Sequence, residues 1–127
     1  MWCFMKTRAA ILEHLNADLT LAEIDVPELQ CGQVLVEIHR SGICGAQLGE
    51  ISGAKGPDKF LPHLLGHEGG GIVLATGPGV TQVREGDHVV MHWRKGPGIQ
   101  APVATYGWDG RTVNSGWVVT FAETAVV

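Results

Sequence analysis

Cysteine is scarce in this sequence. Cys3, Cys31 and Cys44 are the only three, an odd number without paired spacing, so no disulfide framework is expected. A reducing, cytoplasmic setting is the expectation that follows. Long apolar runs are missing too, and none approaches the roughly 20 residues of a helical membrane span. The opening Met1-Trp2-Cys3-Phe4-Met5 is too short and uncharged for a secretory signal, and a start at Met5 would make the first four residues an extension. Positive charge is in the minority. Nine Lys and Arg against 13 Asp and Glu leave a formal net charge of −4, which argues against nucleic acid or an anionic membrane as partner. There is no internal repeat, charge block or low-complexity stretch.

Glycine, by contrast, is plentiful. The 18 in 127 residues are about twice the usual share, which favours tight turns over long helices. A hydrophobic content of 45% with 17% charged residues is ordinary for a globular protein, and the length suits one domain, residues 1–127, with a real core. Thr7 to Leu12 and Leu19 to Val26 flank a turn at His14 to Asp18 and read as a hairpin. Gln33 to Ser41 is the clearest strand, with Val34, Val36 and Ile38 on one face and Leu35, Glu37 and His39 on the other. Ala46 to Ile51 suits a short helical turn, and Ser52 to Pro62 a loop. Gly71 to Thr76, His88 to Trp93, Trp117 to Phe121 and Thr124 to Val127 read as further strands. Gly96 to Gly116 is a long excursion with a hairpin signal at Asp109-Gly110. The fold class expected is mainly β: an irregular, partly open barrel with one or two short helices.

The chemistry concentrates on two glycine-flanked corners. Leu65-Gly66-His67-Glu68-Gly69-Gly70-Gly71 sets an imidazole beside a carboxylate, and Ser41-Gly42-Ile43-Cys44-Gly45 adds a thiol at the end of a strand. Sulfur, nitrogen and oxygen from Cys44, His67 and Glu68 form a donor set suited to Zn²⁺ with a position left open. The glycines let the backbone turn tightly or come close to a bound group. Gly69-Gly70-Gly71 is not a phosphate-binding fingerprint, because it leads into a strand and not a helix. His63 precedes His67 by four residues, but Pro62 and Gly66 argue against the continuous helix that would bring both to one ion. His88 and His92 read as structural or cleft-lining, and Cys31 as a packing residue.

Gly42-Ile43-Cys44-Gly45 followed by Gly66-His67-Glu68-Gly69 resembles the catalytic-zinc signature of the medium-chain, zinc-dependent alcohol dehydrogenases. Val83 to Val90 and Phe121-Ala122-Glu123 resemble that family's next two signatures, in its order and at about its spacing. The likeness is to the N-terminal, GroES-like catalytic domain. It implies zinc held by Cys44 and His67, with Glu68 beside it and a further ligand from outside these residues. It also implies a small-molecule alcohol or carbonyl substrate and NAD(P) bound by a Rossmann domain that does not follow here. Ala46, Gln47 and Gly49 depart from the family, which often carries a hydroxyl, an acid and a relay histidine there. With no cysteine after Cys44, the family's four-cysteine structural zinc is excluded, so one catalytic-type zinc is expected. The 93–116 segment replaces that lobe and is expected to shape the substrate cleft.

Two function classes stay open. One is the catalytic domain of a zinc-dependent alcohol dehydrogenase, inactive alone for want of a hydride acceptor. The other is a stand-alone GroES-like metal-binding or assembly module without redox activity. Exposed apolar strand edges would favour a homo-oligomer in either case.

Overall fold

The computed structural model describes residues 5–127; Met1 to Phe4, and with them Cys3 and the proposed extension, lie outside the described residues. The order is β1 (Met5–Leu12), β2 (Thr20–Val26), β3 (Val34–Ser41), α1 (Gly45–Ser52), β4 (His63–Leu64), β5 (Glu68–Thr76), β6 (His88–His92), β7 (Tyr106–Trp108), β8 (Arg111–Val113) and β9 (Thr124–Val126). One sheet runs β4-β1-β2-β7-β8 and the other β6-β5-β3-β9. They are stitched along β1, where Ala9 bridges Ala122 and Ala10 N–H donates to the Phe121 carbonyl at 2.9 Å. The result is the mainly β, irregular, barrel-like fold expected, with one short helix among the described residues.

Local chemistry explains most of the elements. β1 and β2 pair antiparallel from Met5–Val26 to Ile11–Thr20. Asn16 turns the chain between them in the left-handed region, at φ 57°, which Asn tolerates better than most residues. Its N–H donates to the Ile51 carbonyl at 2.7 Å, and so ties this turn to the last residues of α1. β7 and β8 form the expected hairpin, with Asp109 and Gly110 both at positive φ, as a tight two-residue turn requires.

Several expectations need correction. Leu35 and Val36 are both buried, because a register shift between them breaks the alternation expected for β3. Trp117 to Phe121 is not a strand. The Thr120 and Phe121 N–H groups both donate to the single Leu65 carbonyl, so the segment wraps one acceptor where a ladder would need several. β5 starts at Glu68, so Gly69-Gly70-Gly71 lies inside the strand and not in a corner before it. Cys31 is exposed, not packed.

The core gathers Ile11, Ile24, Leu35, Val113 and Val126, all essentially inaccessible. Each such side chain contributes about 1.5–3 kcal/mol relative to leaving it in water. Tyr106 lies among them, and its hydroxyl accepts the Val126 N–H at 2.8 Å. Burial pushes the phenol up to about 12, against a smaller lowering by that hydrogen bond. The unfolded phenol releases its proton near pH 10 and the folded one near 12. Above pH 10 the unfolded state therefore binds fewer protons, and stability falls as pH rises. We expect alkaline unfolding curves to show this loss between pH 10 and 12, and Tyr106→Phe to flatten it. The same variant should lose about 1–3 kcal/mol at neutral pH, because the buried Val126 N–H is left without its acceptor.

Candidate metal centre

Strands β3 and β5 run antiparallel, and their register closes at Ser41–Gly69. One residue further, Gly42 N–H donates to the Glu68 carbonyl at 2.9 Å. The ladder thus ends with the thiol corner and the imidazole corner side by side, Cys44 three residues beyond one strand and His67 just before the other. Cys44 is half-buried and stands at the N-cap of α1, in extended conformation at φ −101° and ψ 157°. At its other end α1 stops at Gly53, whose φ of 73° is the left-handed cap that glycine favours.

Gln47 links the two corners. It lies in the first turn of α1 and is fully buried. Its Oε1 accepts the Cys44 N–H at 2.7 Å, and its Nε2 lies 3.4 Å from His67 Nδ1. Glu68 is exposed, and its side chain folds over Gly42, where a Cβ would run into the Glu68 Oε1. Thr120 braces both corners from behind. Its hydroxyl is 2.7 Å from that of Ser41, and its main chain hangs on the Leu65 carbonyl.

A cavity of about 310 Å³ opens beside His67, between α1, the segment from Asp58 to His67 and residues 115–119. Leu65, Val118 and Val119 make its apolar wall, and Gln47, Glu50 and His67 its polar one. His63 also lines it, but both of its ring nitrogens are engaged. Nδ1 donates to the Leu64 carbonyl at 2.9 Å, and Nε2 lies 2.7 Å from Asp58 Oδ2. Both ring nitrogens are thus turned to protein partners within the 58–64 segment and away from the Cys44 corner. Burial would raise the Asp58 carboxyl. The His63 hydrogen bond, the Phe60 N–H and the charge of His63 outweigh that and hold it below the usual carboxylate range. Of the excursion at 93–116, only Ser115 and Gly116 reach the cavity.

Among the described residues no three Cys, His, Asp or Glu side chains converge tightly enough to cage an ion. What the fold brings together is the pair of corners bearing Cys44 and His67, with the Glu68 carboxylate against the first. One thiolate and one imidazole at adjacent corners suit Zn²⁺, with further positions to be filled from elsewhere. His92 stands opposite Glu68 in the β5–β6 ladder, but its Nδ1 accepts the Arg94 N–H at 3.0 Å. His88 is exposed further along that edge strand. The sequence offered no sign of Thr120, whose role depends on a contact 79 residues away in the chain. Gln47 did carry a signal, three residues after Cys44 at the spacing of a capping box.

The family model of the alcohol dehydrogenase GroES-like domain matches residues 30–127. The chain belongs to this family. Within it, the chain is 43% identical over 86 residues to alcohol dehydrogenase class-3 of Cereibacter sphaeroides, a span covering 68% of this chain and 23% of that protein. It is 45% identical, with the same coverage, to S-(hydroxymethyl)glutathione dehydrogenase of Synechocystis sp.. The chain therefore matches about a quarter of the length of these relatives. Benzyl alcohol dehydrogenase of Acinetobacter calcoaceticus shares the fold over 96% of this chain and 39% of its own, at a TM-score of 0.76 and 27% identity. A thermostable alcohol dehydrogenase of Pyrobaculum aerophilum does so over 97% of this chain and 39% of its own, at 0.68 and 26%.

The GroES-like domain places a glycine at positive φ just before His67. Gly66 has φ 96°, and a Cβ there would collide with Thr120 Oγ1 and come within 2.9 Å of both the Thr120 nitrogen and the Phe121 ring. Gly66→Ala should cost about 2–4 kcal/mol, from backbone strain together with overpacking. Gly42→Ala should cost less, because only the exposed Glu68 side chain has to move. Urea unfolding of the two variants beside wild type checks the order.

Proposed function

We propose that this chain is the substrate- and zinc-binding catalytic domain of a zinc-dependent alcohol dehydrogenase, which acts on CH–OH groups with NAD(P) in the complete enzyme. The observation that carries this reading is the end of the β3–β5 ladder, where the Cys44 and His67 corners meet and Gln47 touches both. Cys44 and His67 would hold the zinc, with the Glu68 carboxylate beside it and a further ligand from outside these residues. Zinc bound there supplies Lewis acidity toward an alcohol or carbonyl oxygen.

The chain's own groups supply the setting. Leu65, Val118 and Val119 line the cavity beside His67 and keep water from the carbon skeleton of a small alcohol. Gln47 and Glu50 give its polar wall. Ala46 has no hydroxyl to pass on the alcohol proton, so that proton leaves by a route other than position 46. The cofactor would bind to residues beyond this domain, since no strand-glycine-helix fingerprint lies within it. The hairpin of β7 and β8 occupies the excursion where related enzymes place four cysteines, which supports a single zinc.

Zinc affinity is the direct test. In competition with a chromophoric chelator, Cys44→Ala and His67→Ala should each weaken binding by at least about a hundredfold, because each removes a direct ligand. Equal affinity in wild type and both variants would remove the metal assignment.

A further inference from the structure

Gln47 is 1% exposed, and both ends of its amide are committed. The Cys44 N–H can only donate, so the amide atom 2.7 Å from it must be the oxygen. The amide nitrogen therefore faces His67 Nδ1, 3.4 Å away. That nitrogen carries protons and offers no lone pair, so the contact is favourable only if Nδ1 is the acceptor. A neutral imidazole has one protonated nitrogen, and an accepting Nδ1 puts the proton on Nε2. Turning the amide over gives no escape, since its NH₂ would then meet the Cys44 N–H donor to donor.

We propose that Gln47 locks neutral His67 in the Nε2–H tautomer, so that the ring nitrogen turned away from Gln47 presents a proton and not a metal-binding lone pair. A metal-bound histidine ordinarily donates its other N–H to a carboxylate, a carbonyl or a water. For Nε2 of His67 to bind a metal, its proton must move to Nδ1, where it would meet the NH₂ of Gln47 and find no acceptor. The resembling enzymes often carry an acid at this position, which would accept that proton. Gln47 thus makes His67 a poorer ligand than its position in the fold allows. This consequence for zinc rests on the function proposed above; the tautomer does not.

The first measurement is long-range ¹H–¹⁵N correlation NMR of zinc-free wild type at about pH 8, where imidazole is largely uncharged. We expect His67 to show a protonated Nε2 and an unprotonated Nδ1; a protonated Nδ1 would overturn the proposal. The second is the zinc competition titration of Gln47→Glu, a variant of the same length. One carboxylate oxygen keeps the Cys44 N–H, and the other accepts Nδ1–H. Affinity should rise roughly 10–100-fold, the usual scale for a group that supports a metal ligand. Equal affinities would overturn the link to zinc. If Gln47→Glu fails to fold, the wild-type spectrum still decides the tautomer. If Cys44→Ala binds zinc like wild type while His67 carries its proton on Nε2, the zinc reading falls and the tautomer assignment stands.

Discussion

Two strands lying closer than side chains normally permit set the geometry of this domain. At Gly71 a Cβ would run into the Glu37 carbonyl of β3, and at Gly69 it would come within 2.6 Å of the Arg40 carbonyl. Only glycine lets the β5 backbone settle there. The ladder then continues to its last turn, where Gly42 N–H reaches the Glu68 carbonyl and the thiol and imidazole corners are fixed as neighbours. The geometry of the site depends on that approach. Were the strands pushed apart, Cys44 and His67 would lose the shared ladder end that sets their two corners as neighbours.

The rest of the domain holds this end in place. The cap at Gly53 and the Asn16 N–H fix the far end of α1, so that its first turn, with Cys44 and Gln47, has a set direction. Thr120 binds Ser41 on one side and packs against Gly66 on the other, and so joins the two corners through a third segment. Asn114 does similar work for the cavity wall. It accepts the Leu64 N–H, donates its own N–H to the Pro62 carbonyl and sends a side-chain N–H to the Phe60 carbonyl. The residues proposed to bind zinc thus sit on short corners, each backed by a strand or helix end.

Much of this was legible in the sequence because it is local. The Asp109-Gly110 turn, the β1–β2 hairpin and the helix after Cys44 follow from turn chemistry and from spacing within a few residues. The pairing of Cys44 with His67 was read from donor chemistry on two glycine-flanked corners and strengthened by resemblance, since two single residues 23 positions apart carry no period of their own. What sequence reasoning misread depends on distant partners. The glycines at 69–71 looked like a corner made for a ligand, whereas they accommodate a neighbouring strand. Trp117 to Phe121 has the composition of a strand, but its Thr120 and Phe121 N–H groups are both claimed by the Leu65 carbonyl. Gln47 stood out as a departure from the family, yet only the structure shows its amide oxygen taken by Cys44 and its nitrogen turned to His67.

These contacts give a domain whose architecture brings together the two side chains proposed to hold zinc, while a neutral amide holds one of them in the wrong tautomer. The fold and the fine chemistry of the site are thus separable, and the first sets where an ion would sit. X-ray absorption at the zinc edge, on protein loaded with one equivalent of zinc, tests that most directly. The account predicts one sulfur near 2.3 Å together with imidazole nitrogen near 2.0–2.1 Å. A spectrum showing only oxygen neighbours, without sulfur or imidazole, would contradict it.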